Sequence, residues 1–208
     1  METGTFLLYA ATALAACMTP GPAVLLVVST AIARGAAASM WATLGIIVAN
    51  TIYFILAGTG AGALLLASYD LFAIVRWVGA AYVLYLGIRS LLAKPQPRHV
   101  ESDARFTHRG WQALRDGAVL QLTNPSALVF FAALLPQFID PGRPIVTQVV
   151  ILMATGNALE LLVLGLYGAL ADRAARAAEG TSLARWTNRV SGVLLIGAAL
   201  ALALSALG

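Results

Sequence analysis

Four residues set the terms on which this chain can fold: Thr19-Pro20-Gly21-Pro22, inside an apolar run over residues 6–32. A run of that length crosses a bilayer as one helix, which takes about 20 residues. Pro20 and Pro22 bring no amide donor, and their rings clash with the carbonyls four residues back, at Ala16 and Met18. Each proline in a helix interior costs about 3 kcal/mol. Thr19 and Gly21 each precede a proline, which pushes both away from the helical region. Two readings stand: a kink healed by neighbouring helices, or a true interruption, which two prolines around a glycine favour. In hydrocarbon the freed carbonyls cannot turn to water, so an interruption has to sit inside protein or line a cavity. Broken helices near the midplane are where many secondary transporters bind their cargo.

The rest of the composition agrees with a chain that lives in lipid. Of 208 residues, 60% are hydrophobic and 11% charged, with a mean hydropathy of +0.85; a soluble domain carries about 25% charged residues. The expectation is a single transmembrane domain over 1–208, with no room for a separate soluble one. The net charge of +4 carries no argument for nucleic acid, and none is expected as a partner. Cys17 is the single cysteine, which excludes an intramolecular disulfide. It ends Leu14-Ala15-Ala16-Cys17, similar to a lipoprotein processing box. No Lys or Arg precedes it and the apolar run continues beyond it, so it reads as a small packing residue and no cleavable leader is expected.

Six apolar runs can be drawn, at 6–32, 41–66, 71–92, 117–139, 146–171 and 190–207. The stretch 93–116 reads as a linker between two sets of three spans, 1–92 and 117–208. Lys and Arg set the orientation. Eleven of thirteen lie in or beside the connections after spans one, three and five, from Arg34 to Arg189; only Arg76 and Arg143 fall on the other side. The positive-inside rule puts the eleven in the cytoplasm and both termini outside.

Three spans per half make the halves insert in opposite senses, and there are echoes of such a repeat. Gly21-Pro22 answers Asn124-Pro125, Asn50 answers Asn157, Gly58 answers Gly165, and Val83-Leu84 with Gly87 answers Val193-Leu194 with Gly197. The expected fold is all-α: six transmembrane helices as two inverted three-helix repeats, with helices one and four broken. One mismatch remains. Pro22 falls deep in its run and Pro125 early in its own, so the symmetry is imperfect or span four begins before residue 117. Gly58-x-x-x-Gly62 and Gly165-x-x-x-Ala169 allow close helix approach, within one subunit sooner than at a homodimer seam.

Thr123-Asn124-Pro125-Ser126 is the second helix breaker. Asparagine is a favoured N-cap and proline a favoured first helical residue, so a fresh helix starts at Pro125. Gly21 and Pro22 offer the same grammar more weakly. Two half-helices then begin inside the membrane with their positive ends inward, a setting for a carboxylate. Gln121, Thr123, Asn124 and Ser126 can add hydrogen bonds. Glu160 is the only acid deep within any span, with no Lys or Arg at its depth; such a residue usually faces a cavity or a partner. It is the candidate proton-coupling group, with Asn157 three residues earlier on its helix face; the bland alternative is a protonated Glu bonded between helices. Asn50 and Tyr53 form the matching pair on span two, as site or as polar glue. No zinc spacing, phosphate-cradling loop or nucleophilic triad is present, and no cofactor or metal is called for. The chain therefore reads as a transporter ahead of a membrane-embedded enzyme or a scaffold.

These residues resemble the lysine-exporter superfamily, most closely its homoserine/threonine-exporter branch. The matching stretches are Thr19-Pro20-Gly21-Pro22-Ala23-Val24-Leu25-Leu26, Leu44-Gly45-Ile46, Gly79 to Gly87, Leu122-Thr123-Asn124-Pro125 through Phe130-Phe131, Leu135-Pro136-Gln137-Phe138, and Asn188-Arg189-Val190-Ser191-Gly192. The resemblance implies a bacterial inner-membrane exporter of amino acids or their derivatives, driven by the proton gradient. The substrate-binding candidates read from the residues themselves are Thr19, Pro20, Gly21, Pro22, Asn50, Tyr53, Gln121, Thr123, Asn124, Pro125 and Asn157. The chain departs from the family at Ala23, where asparagine is frequent, at Ser126, where lysine is, and at Asn50, where an acid is common. Some relatives are associated with cadmium export, but a soft metal wants more thiolates than Cys17.

Overall fold

The computed structural model describes residues 1–59, 69–92, 103–178, 189–190, 192–197 and 199–200, and among them every regular element is helical. The elements are α1 (Thr3–Met18), α2 (Pro22–Arg34), α3 (Ala36–Gly58), α4 (Tyr69–Leu92), α5 (Asp103–Leu122), α6 (Pro125–Val129) and α7 (Ile145–Ala177). A π-helical turn, Phe130–Leu134, and a 3-10 turn, Leu135–Phe138, follow α6. Pro136 lies inside the second turn and has no amide to continue an α-helix. The expectations for 60–66, for 93–102 and for 201–207 fall outside the described residues.

Both expected breaks are present. α1 and α2 meet at 51°, and Gly110–Leu122 meets Pro125–Phe138 at 55°. α3 and α7 are each long and apolar enough to cross a membrane, and each bent pair adds one more if it crosses as a single span. Two boundaries differ from the hydropathy reading. α5 begins at Asp103, because a helix carrying Arg105, Arg109 and Arg115 escapes an apolar-run criterion. The break therefore follows a long first half-helix in both halves, which removes the mismatch noted above. α7 runs on to Ala177; at 1.5 Å per residue its 33 residues are longer than the roughly 30 Å hydrocarbon core.

Glycines decide how closely the helices cross. A Cβ at Gly45 would meet the Leu114 carbonyl oxygen, and one at Gly117 would meet the Ala42 carbonyl oxygen, so α3 and α5 touch backbone to backbone. That contact carries Asn50 on α3 to Gln121 on α5. Gly35, between α2 and α3, has φ 92°, a left-handed value that favours glycine. Gly58 packs on Val149 and Gly165 beside Met40, so both serve contacts within the chain; Gly62 is outside the described residues.

The pairings also fix directions. Along α3 and α5, Trp41 faces Gly110, Ala42 faces Gly117 and Asn50 meets Gln121, so the two helices run the same way. Along α1 and α7, Tyr9 meets Leu152, Cys17 meets Glu160 and Met18 meets Tyr167, again in parallel. An aromatic core ties the elements together. Phe131 stacks on Tyr53 (5.2 Å) and meets Phe54 edge-on (4.8 Å), while Tyr9 meets Phe138 edge-on at 5.3 Å.

Candidate functional site

At the first break the chain leaves helix because it has to. The Thr19 N–H closes α1 on the carbonyls of Ala15 and Ala16, and its hydroxyl donates to Ala15 at 2.8 Å. Gly21 is extended (φ −132°, ψ −172°) and caps α2 through its backbone carbonyl alone. No side chain caps the α2 amides, so the first turn, at Ala23 and Val24, keeps unsatisfied N–H groups. Glycine is not demanded by this backbone, and a Cβ at Gly21 would meet nothing closer than the Thr19 oxygen at 3.9 Å.

The second break is chemically different. Asn124 is the N-cap of α6, and its Oδ1 accepts from the Ser126 N–H at 3.1 Å. Its Nδ2 donates to Gln121 Oε1 (3.2 Å), and Gln121 Nε2 donates to Asn50 Oδ1 (2.7 Å). The α6 end is thus closed by its own asparagine, whereas the α2 end is open.

Both breaks face one cavity of about 390 Å³, lined also by α1, α3 and α7. Among the described residues, Glu160 contributes the only charged side chain on its wall, and no Lys or Arg lines it. The Cys17 thiol donates to Glu160 Oε2 at 2.8 Å. One turn away, Gly156 lets α7 pack close to Tyr9 and Phe54, since a side chain there would strike the Tyr9 hydroxyl and the Phe54 ring. Tyr9 itself is fully buried and donates to the Leu152 carbonyl at 2.9 Å.

Of the residues singled out from sequence, the cavity brings together Thr19, Pro20, Gly21, Pro22, Asn50, Gln121, Asn124, Ser126 and Glu160. Four stand behind it. Tyr53 donates to the Leu122 carbonyl at 2.7 Å, and Thr123 turns its hydroxyl back to Val119 at 2.7 Å. Pro125 is buried at the start of α6. Asn157 donates to Thr51 Oγ1 at 3.1 Å on α3 and leaves its Oδ1 buried without a partner. Three residues of helix turn a side chain by about 60° from alignment, enough to send Asn157 to α3 and Glu160 to the cavity. Cys17 is a correction: it is not a mere packing residue but the partner of Glu160. Sequence carried no sign of it, because its partner lies 143 positions away. Tyr9, Phe130 and Phe131 were likewise missed as wall residues. Among the described residues no three His, Cys, Asp or Glu side chains gather to hold a metal.

The profile of the family described as LysE type translocator matches residues 14–206. The chain belongs to that family. The translocator is 31% identical to a protein of Vibrio cholerae serotype O1 called an uncharacterized membrane protein, over 98% of each chain. It is 36% identical to the homoserine/homoserine lactone efflux protein of Salmonella typhi, over 81% of this chain and 80% of that one. The protein of the same name in Salmonella typhimurium is 33% identical over 88% of this chain and 89% of its own. No solved structure matches the translocator. It is a membrane transporter and not an enzyme.

Proposed function

We propose that this translocator exports amino acids or amino-acid derivatives of the homoserine class from the cytoplasm in exchange for protons. One observation carries the reading: an open helix N-terminus and a single carboxylate line the same cavity at a broken helix. A zwitterion inside a membrane needs a place for each charge. The first-turn amides of α2 hold the carboxylate, the dipole adding about 0.3–1 kcal/mol to the hydrogen bonds. Ionised Glu160 holds the ammonium. Protonation of Glu160 from outside weakens that hold, and proton release to the cytoplasm restores it, which is the alternation that exchange requires. Thr19 to Pro22, Asn50, Gln121 and Asn124 are the binding wall; Tyr53, Thr123, Pro125 and Asn157 brace it. The efflux function given to the two Salmonella relatives supports the substrate class.

The architecture proposed is six spans in the bacterial inner membrane as two inverted repeats, the first over 1–92 and the second led by α5. Residues 103–116 of the expected cytoplasmic linker 93–116 then belong to the helix that enters span four. Spans that run in the same direction differ by an even number of crossings. α1 parallel to α7 and α3 parallel to α5 fit spans one with five and two with four, leaving α4 as span three. The salt bridge from Arg143 to Glu2 (3.6 Å) sets Arg143 beside the N-terminus, which supports placing the two on one side.

Two measurements test this reading. Vesicles containing the purified protein and loaded with labelled L-homoserine should lose it faster than protein-free vesicles while retaining sucrose; equal loss contradicts export. In a Cys17→Ala background, single cysteines at Ala104 and after Gly208 should label from opposite sides of the cell membrane. Labelling of both from the cytoplasm contradicts the six-span arrangement.

A further inference from the structure

The amides behind the cavity form a chain with a fixed direction. The Ser126 backbone N–H can only donate, and it donates to Asn124 Oδ1. Asn124 therefore offers Nδ2 to Gln121 Oε1. Gln121 is left with Nε2 toward Asn50, whose Oδ1 accepts it at 2.7 Å. Each side-chain amide has one donor end and one acceptor end, so the backbone donor sets all three orientations in turn. The chain ends at Asn50 Nδ2, which has no partner among the described residues. Asn50 lines the cavity and is 4% exposed, so an unpartnered donor on a buried side chain remains at the wall.

Resting on the export reading above, we propose that Gln121 is a positioning residue. It fixes Asn50 as a neutral hydrogen-bond donor to the carbonyl-type oxygen at C1 of an α-amino compound, whether that oxygen belongs to a carboxylate or to a lactone. A guanidinium or ammonium at this place would reward an anion above all, and the described residues of the cavity wall have neither. An amide N–H can donate to an uncharged oxygen as well as to a charged one, though it holds the charged one about twice as strongly. The substrate class is then set by the α-ammonium and an adjacent acceptor oxygen; a negative charge on that oxygen strengthens binding, at the α2 amides as at Asn50, but is not required. Without Gln121 the Asn50 amide is free to turn its oxygen inward, where it opposes the same ligand atom.

Calorimetry on the full chain in lipid nanodiscs tests this with three probes: L-homoserine, L-homoserine lactone and 3-aminopropan-1-ol, which keeps the ammonium and hydroxyl but lacks C1. Gln121→Met and Asn50→Leu should each weaken homoserine by about 10- to 150-fold, the value of one hydrogen bond to a charged group, and its lactone by about 3- to 10-fold, the value of a neutral one. Binding of 3-aminopropan-1-ol should stay unchanged within about twofold, well under that hydrogen-bond effect. The double variant should be no weaker than either single one, because Gln121 acts through Asn50. Asn50→Leu carries the same selectivity prediction should Gln121→Met fail to insert. Equal weakening of all three probes, additive losses, or a loss confined to homoserine overturns the proposal. If the wild-type chain binds none of the probes, the export reading falls with it. If the wild-type chain binds and the variant pattern fails, this inference falls alone.

Discussion

Glu160→Gln is expected to end proton-driven efflux while the protein remains folded and inserted. The fold survives because the glutamine carbonyl can still accept from the Cys17 thiol, the partner Glu160 has at 2.8 Å. Transport does not survive, for two separate reasons. An ammonium loses its ionised partner, a charge-assisted hydrogen bond worth about 1.5–3 kcal/mol, or about 10- to 150-fold in affinity. The variant also has no proton to gain or lose at this position, so whatever leakage remains should be indifferent to an imposed pH gradient. Efflux from loaded vesicles with and without the gradient measures both effects. Normal export with the normal response to pH would make Glu160 a structural residue.

The second large effect comes from straightening the first break. Pro20→Ala with Pro22→Ala removes two penalties of about 3 kcal/mol each against a continuous helix. The amides of Ala23 and Val24 then find partners at the carbonyls of residues 19 and 20, and the cavity loses its open donors. Homoserine efflux should drop to the protein-free rate, while the thermal midpoint stays the same or rises. Gly21→Ala alone is the control. The extended Gly21 backbone and the 3.9 Å of room beside it admit a methyl group, so the break persists and efflux falls only modestly. Full transport by the double proline variant would separate the break from the binding function.

The two breaks were legible because proline acts on its own neighbours. Pro20, Pro22 and Pro125 forbid local hydrogen bonds whatever surrounds them, and Asn124 caps the residue two places on. Glu160 was legible by the cost of its location. The start of α5 was not, since Arg105 and Arg109 look like linker to a hydropathy reading although they lie on a helix. Side-chain direction around Glu160 was lost for a different reason. Asn157 and Glu160 share a helix face on a wheel, yet the packing of α7 between α1 and α3 sends one to each. Cys17 and Tyr9 take their roles from α7 partners 143 positions away. Local sequence also gave the two helix starts the same grammar. The α2 end remains open and the α6 end closed only because the latter has an asparagine side chain within reach of its own amide.

In the exchange proposed above, substrate and proton compete for one carboxylate, Glu160, in the cavity at the broken helix. Vesicles holding a trapped pH dye and L-homoserine, with the membrane potential clamped by potassium and valinomycin and an acidic exterior, test it directly. The account predicts that the lumen acidifies in step with homoserine loss through the wild-type protein and that Glu160→Gln abolishes this linked acidification. Homoserine loss without proton entry in the wild type, or equal proton entry through Glu160→Gln, would contradict it.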